Sequence, residues 1–327
     1  MMNKAMITGG GGFIGYHLAN KLLEKKCEVF LIDNFSNQKK DLDFAKLCEN
    51  KNIHFVEQNL LSSRDLNELG KDFTTIFHLA ALLGVKNVIQ NPFKVLKENV
   101  QILFSILQFA QTQKKLERFV FFSTSEVYSH SVLAQRAPIP TAEDVTLCLP
   151  DLEEPRSSYL LSKIYGEALV KQSHLPFSIV RPHNIYGPRM GMRHVIPELL
   201  QKAYLGKENG QLEVFSPDHT RSFCFIKDAV AQIQLISETP KGKNQVFNIG
   251  AEDEISIKKL AEIILQVVGK KMVIFSKPPP AGSPPRRCPD MKKTLSITSY
   301  KTKVDLLEGI SKTFMWYKKE VFESKLK

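Results

Sequence analysis

The sequence predicts an α/β fold in which a doubly wound parallel sheet carries a smaller mixed α/β lobe. Three observations lead there. Short apolar runs alternate with amphipathic stretches through the first half of the chain, and a cluster of glycines joins the first such pair. After about residue 182 the regularity gives way to shorter segments punctuated by Pro182, Pro188, Pro197, Pro217 and a run from Pro278 to Pro285. Strands that alternate with helices imply right-handed crossovers and a parallel sheet covered on both faces.

Lys4-Ala5-Met6-Ile7 reads as a buried first strand. Thr8 to Gly15 follows, with Gly9, Gly10, Gly12 and Gly15 satisfying both G-x-G-x-x-G and G-x-x-G-x-x-G. Beyond it, Phe13, Ile14, His17, Leu18, Leu22 and Leu23 recur at helical spacing. Glycines between a strand and a helix let the backbone approach a pyrophosphate, and the helix's first N–H groups and positive dipole end hold that anion. Cys27 to Asp33 reads as a second strand ending in an acid. A carboxylate there would accept hydrogen bonds from the ribose hydroxyls of NAD and repel the 2′-phosphate of NADP.

Further strands are expected at Ile53–Val56, Thr75–Ala80, Arg118–Ser123 and Phe177–Arg181, with the clearest helix from Val95 to Gln113. The domain expectation is a cofactor-binding unit over residues 1–182 and a mainly substrate-binding lobe over 183–327, the chain crossing back around 222–250. The lobe would lie over the carboxyl ends of the strands, the usual ligand crevice of such sheets.

Composition narrows the function. The chain has 327 residues, 43% hydrophobic and 24% charged, as in ordinary globular proteins. No apolar run approaches about 18 residues, so no membrane span or membrane partner is expected. The first strand begins almost at once, leaving no room for a signal peptide. Five scattered cysteines with no C-x-x-C pair point to reduced thiols in the cytoplasm, and no metal site is expected. The net charge of +11 is spread over short lysine clusters. With no helix-turn-helix, zinc pattern or basic–aromatic stripe, nucleic acid is not an expected partner. A positive surface also suits polyanionic small molecules.

Tyr159-Leu160-Leu161-Ser162-Lys163 carries the chemistry. On a helix, positions i and i+4 share a face, so the lysine ammonium would sit beside the phenol and lower its pKa toward the working pH. Such a tyrosine takes the proton of an alcohol while hydride leaves for a nicotinamide. The fifth strand runs into Ser123-Thr124-Ser125-Glu126-Val127-Tyr128, where a hydroxyl could hold the same substrate oxygen.

Together these motifs resemble the extended short-chain dehydrogenase/reductase family, that is, the nucleotide-sugar epimerases, dehydratases and decarboxylases. The resemblance spans nearly the whole chain, including His78 to Ala81, Asn99, Arg181 to Arg189, Thr220 to Phe223 and Arg287 to Asp290. It implies a Rossmann-type fold and NAD as cofactor, with Thr124, Tyr159 and Lys163 catalytic and Glu126 available as a further acid–base group. Gly9, Gly12, Phe13, Ile14, Gly15, Asp33 and Asn34 would hold NAD. Asn59 and Leu60 would touch adenine, with Asn59 replacing the usual acid. Leu79, Ala80 and Ala81 would line the cleft, Asn99 would help position the catalytic groups, and Tyr159 and Lys163 would also touch the cofactor. For the substrate, a UDP-sugar, the resemblance implies Ser125 and Asn184 at the sugar or its phosphate. It adds His194 and Val195, whose run His194 to Pro197 resembles the Asn-Leu-Ile-Pro stretch of UDP-hexose 4-epimerases, and Arg221 with the Arg287/Asp290 pair as the clamp on the nucleotide.

Lys86 and Arg189 could both face a sugar carboxylate, which favours a uronic acid. The resemblance implies a common first step, in which Tyr159 removes the proton of a sugar hydroxyl, usually at C4, and NAD takes the hydride. The expected outcome here is 4-epimerisation of a UDP-hexose or UDP-uronic acid. Decarboxylation or 4,6-dehydration through Glu126 is the alternative, although Ser125 stands where dehydratases carry an aspartic acid. A non-catalytic NAD-binding protein is the remote alternative, against which the retained Thr124, Tyr159 and Lys163 argue. Many relatives are homodimers joined through the helices that correspond to Val95–Gln113 and Ser158–Gln172, where Phe104 and Leu169 could serve the interface. Ser129 replaces a common glycine, and residues 129–158 are expected to form a long loop near the sugar.

Overall fold

The computed structural model describes residues 3–36, 40–61, 66–279 and 283–324, the side chains of residues 67, 85 and 86 excepted. The chain begins β1 (Lys4–Thr8), α1 (Phe13–Leu23), β2 (Glu28–Asp33), α2 (Leu42–Cys48) and β3 (Ile53–Glu57). It continues through β4 (Thr75–His78), α3 (Val85–Gln90), α4 (Pro92–Gln111), β5 (Arg118–Phe122), α5 (Ser129–Leu133), α6 (Ser157–Gln172) and β6 (Phe177–Pro182). Then come β7 (Ile185–Tyr186), α7 (Val195–Leu205), β8 (Gln211–Phe215), β9 (Thr220–Ser222), β10 (Cys224–Phe225), α8 (Ile226–Glu238) and β11 (Gln245–Ile249). The last part holds β12 (Glu254–Ser256), α9 (Ile257–Val268), β13 (Val273–Lys277), β14 (Arg286–Arg287), α10 (Lys292–Thr298) and α11 (Leu306–Tyr317).

Seven strands form one parallel sheet in the order β3-β2-β1-β4-β5-β6-β11. Its central strands β4 (TIFH) and β5 (RFVFF) are buried along their whole length, as strands covered on both faces must be. Side chains alternate between two cores. Ala5, Ile7, Phe77 and Val120 face α1 and α8, whereas Met6, Ile76, Phe119 and Phe121 face α4 and α6. α4 forms because its apolar residues fall on one stripe: Val95, Ile102, Leu103, Ile106 and Phe109 are buried, with Pro92 in the first turn. The strand order reverses between β1 and β4, which opens a crevice at their carboxyl ends.

The strand ends differ from expectation by one or two residues. β4 stops at His78 because Thr8 claims the next amides: its carbonyl accepts Leu79 N and its Oγ1 accepts Ala80 N, turning the chain into the crevice. The stretch from 129 to 158 is only partly a loop. Ser129 has right-handed helical backbone (φ −55°) and opens α5, a conformation that needs no glycine. Beyond α5 the chain is strapped to the edge of the sheet. Thr141 N donates to Cys288 O, and the Glu143 carboxylate accepts Asn248 N at 2.7 Å. No helix among the described residues is long and apolar enough to cross a membrane.

Candidate active site

The glycine turn sits at the switch between β1 and β4. Gly9 has φ +74°, and a Cβ there would lie 2.9 Å from Ala80 N; a Cβ on Gly15 would lie 2.3 Å from Gly9 O. Only glycine allows the two strand ends and α1 to approach this closely. Gly12 caps α1 without any side-chain oxygen, so no side-chain cap competes for the amides of Phe13 and Ile14. That is the arrangement an anion at a helix N-terminus requires. The Asp33 carboxylate stands at the end of β2, accepting Gly11 N at 2.9 Å through one oxygen and Phe35 N at 2.8 Å through the other. Asn34 is exposed, its side-chain oxygen accepting Ser36 N. Asn59 accepts Leu61 N and lies at the surface, while Leu60 is buried beneath it. Leu79, Ala80 and Ala81 are half-buried where β4 ends. These residues fit the pyrophosphate and adenosine of a dinucleotide.

β5 delivers Thr124 to the same edge, where its hydroxyl caps a 3-10 turn (Ser125–Tyr128) by accepting Glu126 N. α6 brings Tyr159 and Lys163 together: the ammonium lies 5.7 Å from the phenol ring centroid and donates to Phe122 O at 2.8 Å. Burial lowers the Lys163 pKa to about 8. The expectation of a lowered Tyr159 pKa is corrected. Burial raises it above its ordinary value, and the Glu126 charge raises it further. The ammonium bonds a strand-end carbonyl rather than the phenol oxygen, so desolvation outweighs it.

Asn99 clamps the chain after β4 to α6. Its amide accepts Leu82 N at 2.6 Å and donates to Leu82 O and to Ser162 Oγ; Ser162 in turn bonds Tyr159 O. One turn along α6 from Lys163, Glu167 forms a buried ion pair whose two partners lie in different elements. Arg181 meets Glu167 through Nε at 2.8 Å and Nη2 at 2.6 Å, and Nη1 bonds the Tyr128 hydroxyl and Glu143 O. Glu167 also accepts Ser123 Oγ at 2.6 Å, next to Thr124. Its spacing of four from Lys163 was the available signal in the sequence.

On the substrate side, Arg221 and Arg287 are register partners across β9 and β14. Arg221 donates to the backbone oxygens of Thr220, Pro284 and Pro285 and to Ser283 Oγ. Burial, with Arg287 adding repulsion, lowers its pKa to about 10. Burial also lowers Arg287, and the Glu126 charge works the other way. Both Nη groups of Arg221 thus hold the chain at 283–285, while Arg287 lines the cleft with its Nη2 3.4 Å from Ser129 Oγ. Next to them a narrow, partly open cleft is walled by Ser125, Tyr128, Ser129, His183 and Arg287 among others. His194 and Val195 begin α7; burial lowers the His194 pKa, and the Glu126 charge works the other way.

Other expectations are revised. Arg189 is buried and paired with Asp41 at 2.8 Å, over the Tyr16 ring, with Nη2 3.5 Å from Gly11 O. Its charge is committed beside the glycine turn rather than presented to a sugar carboxylate. Asp290 is not in the wall of Arg287's cavity: its carboxylate accepts Lys292 N at 2.8 Å and pairs with the Lys292 ammonium, holding the start of α10. Asn184 (φ +38°) donates its amide to Ser222 O and so braces β9. Lys86 falls in α3, but its side chain lies outside the described residues. Among the described residues no group of three or more His, Cys, Asp or Glu could hold a metal ion.

The model of the NAD dependent epimerase/dehydratase family matches residues 5–250. The chain is 33% identical to the UDP-N-acetyl-alpha-D-glucosaminuronate decarboxylase of Bacillus cytotoxicus, over 97% of this chain and 98% of that one. It is 30% identical to the uncharacterized UDP-glucose epimerase YtcB of Bacillus subtilis, over 94% of this chain and 96% of that one. The solved UDP-glucuronic acid 4-epimerase of Bacillus cereus, in complex with UDP-glucuronic acid and NAD, superposes with a TM-score of 0.84 at 27% identity, covering 96% of this chain and 99% of that one. A glycine cradle, an acid at the end of β2 and a Thr/Tyr/Lys set in one crevice thus meet a family match over most of the chain: it belongs to the NAD-dependent epimerase/dehydratase family of nucleotide-sugar enzymes, with NAD as its cofactor.

Proposed function

We propose that the protein is a UDP-sugar 4-epimerase acting on a UDP-hexose or UDP-uronic acid through a transient 4-ketone. The observation that carries the reading is the Lys163 ammonium set against the Tyr159 ring at the strand edge that holds Thr124. Thr124 Oγ1 would hold the C4 oxygen while Tyr159 takes its proton and later returns it, and Lys163 keeps compensating charge beneath the phenol. Bound NAD supplies the hydride acceptor and, in its oxidised form, a positive charge that favours phenolate. Arg221 and Arg287 would anchor the pyrophosphate while the ketone presents its other face. Residues 1–182 hold the cofactor and most of 183–327 the nucleotide sugar in this reading.

Decarboxylation is the second reading. It is favoured by Glu126, whose charge reaches Tyr159 and Arg287, and by the decarboxylase among the relatives. Epimerisation needs only the Thr/Tyr/Lys set and the anchor; decarboxylation also needs a carboxylate at C5. We propose further that two copies pair through α4 and α6, where Phe104 and Tyr165 are about half exposed; Leu169, by contrast, packs on the chain's own core. Five free cysteines fit a reducing cytoplasm.

Proton NMR of the protein with UDP-glucuronate and no added NAD tests the reaction. A new anomeric signal with the carboxylate retained is the expected result. Conversion to a pentose would replace epimerisation by decarboxylation, and no conversion of UDP-glucuronate, UDP-glucose or their N-acetyl counterparts would overturn both.

A further inference from the structure

His183 follows β6 and stands in the wall of the cavity beside Ser125 and Arg287, 1% exposed. Its ring makes one hydrogen bond, from Nε2 to Asn248 Oδ1 at 3.1 Å. The orientation of the Asn248 amide is fixed by its surroundings. Its Nδ2 donates to two carbonyls, Thr141 O at 2.9 Å and Asp290 O at 3.1 Å. Oδ1 is therefore the acceptor. It also takes the Tyr128 hydroxyl hydrogen at 2.9 Å, because the Tyr128 oxygen is itself receiving Arg181 Nη1 at 2.7 Å.

Facing an acceptor, Nε2 must carry the ring hydrogen. Burial, helped by the charges of Arg287 and Arg181, keeps the imidazole neutral, with a pKa pushed down to about 3. A neutral ring protonated at Nε2 has a lone pair at Nδ1. That Nδ1 is buried and has no hydrogen-bond partner among the described residues. Buried acceptors are rarely left unmet, so this one calls for a donor.

We propose that His183 Nδ1 is a substrate-recognition acceptor, receiving a hydrogen bond from a donor on the sugar ring, either a hydroxyl or an acylamino N–H. The inference rests on the reading that this cavity takes the sugar of a UDP-sugar. The wall divides the ligand by chemistry. Arg287 offers only donors and suits phosphate oxygens, whereas an ionised pyrophosphate has no hydrogen to give Nδ1. Ser125 and Ser129 can serve either role. His183 thereby marks the sugar end of the cavity and Arg287 the phosphate end.

Three substitutions separate recognition from support. His183→Asn keeps an acceptor oxygen near Nδ1, His183→Gln keeps a donor near Nε2 for Asn248, and His183→Phe removes both. Calorimetric Kd values for UDP-glucuronate and for UDP are compared, with Tm and NAD content as controls. The Phe and Gln variants are expected to bind UDP-glucuronate about 5- to 100-fold more weakly, and the Asn variant within about threefold of wild type. All three should bind UDP like the wild type. A Gln variant like wild type beside an Asn variant as weak as Phe would mean a purely supporting role and overturn the proposal, as would equal losses for UDP. Wild-type protein that binds UDP-glucuronate no more tightly than UDP would overturn it too. Binding without turnover, still dependent on His183, would count against the epimerase reaction and for this assignment. UDP-N-acetylglucosaminuronate differs only at C2: an unequal Phe penalty places the donor there, and an equal one places it elsewhere on the ring, either supporting the assignment.

Discussion

Lys163 should make the protein more stable as pH rises above neutrality, and the size of the effect follows from its burial. Its ammonium lies in the core of the site, with a pKa of about 8 against 10.5 for an ordinary lysine. A lowered lysine pKa means that the folded state releases the proton first. Between pH 8 and 10.5 the unfolded chain therefore binds more protons, and stability increases with pH in that window. The shift corresponds to about 3 kcal/mol, present as a penalty below the folded pKa and relieved as pH climbs toward the unfolded one. Tyrosines and cysteines with raised pKa values work in the opposite direction at high pH, so wild type alone would blur the effect. The difference between wild type and Lys163→Met removes that background. Urea unfolding at equal NAD occupancy should show the stability of wild type relative to the variant rising by about 2–3 kcal/mol from neutral pH to pH 10. A difference that stays flat would refute the claim that burial, rather than a compensating partner, governs this ammonium.

Other outcomes follow from the same geometry. Gly15→Ala, whose Cβ would lie 2.3 Å from Gly9 O, should lose nearly all co-purified NAD; Gly12→Ala, at 3.0 Å, should lose less, as measured by nucleotide released on denaturation. Arg181→Met should destabilise the protein by about 3–5 kcal/mol by leaving Glu167 buried without its partner, and adding Glu167→Leu should recover part of this in a double-mutant cycle of urea unfolding. Arg189→Met should weaken NAD retention while leaving the KM ratio of UDP-glucuronate to UDP-glucose unchanged, because that charge is bound to Asp41 beside the glycine turn.

The alternation of strands and helices is legible in the sequence because central strands buried on both faces must be largely apolar, as Ile76-Phe77 of β4 and Phe119 to Phe122 of β5 are. The glycine cradle is legible for a related reason, since backbone crowding leaves no other residue type at Gly9 and Gly15. Properties set by distant partners are not legible. Asp41, far from Arg189 in sequence, decides where that guanidinium points, and α10 decides what Asp290 does. Tyr159 and Lys163 do sit together as their spacing requires, yet the phenol's acidity depends on burial and on Glu126, neither of which spacing reveals. β11 falls in the stretch 222–250 where the chain is expected to cross back, but its short run, Gln245–Ile249, follows α8 in a part of the chain broken by short strands and prolines, and it does not stand out as a strand. His183 lies inside a quoted motif, but its unmet nitrogen exists only once Asn248 and Tyr128 fold around it.

The central claim is reversible oxidation at C4, in which the Thr124, Tyr159 and Lys163 set handles the hydroxyl proton and NAD would take and return the C4 hydride. UDP-glucuronate carrying deuterium at C4 tests it most directly, with the product read by NMR. The account predicts that a C4 epimer forms with the deuterium still on C4 and that Tyr159→Phe abolishes its formation. Deuterium lost to water, or an epimer formed equally well by the Tyr159→Phe variant, would contradict it.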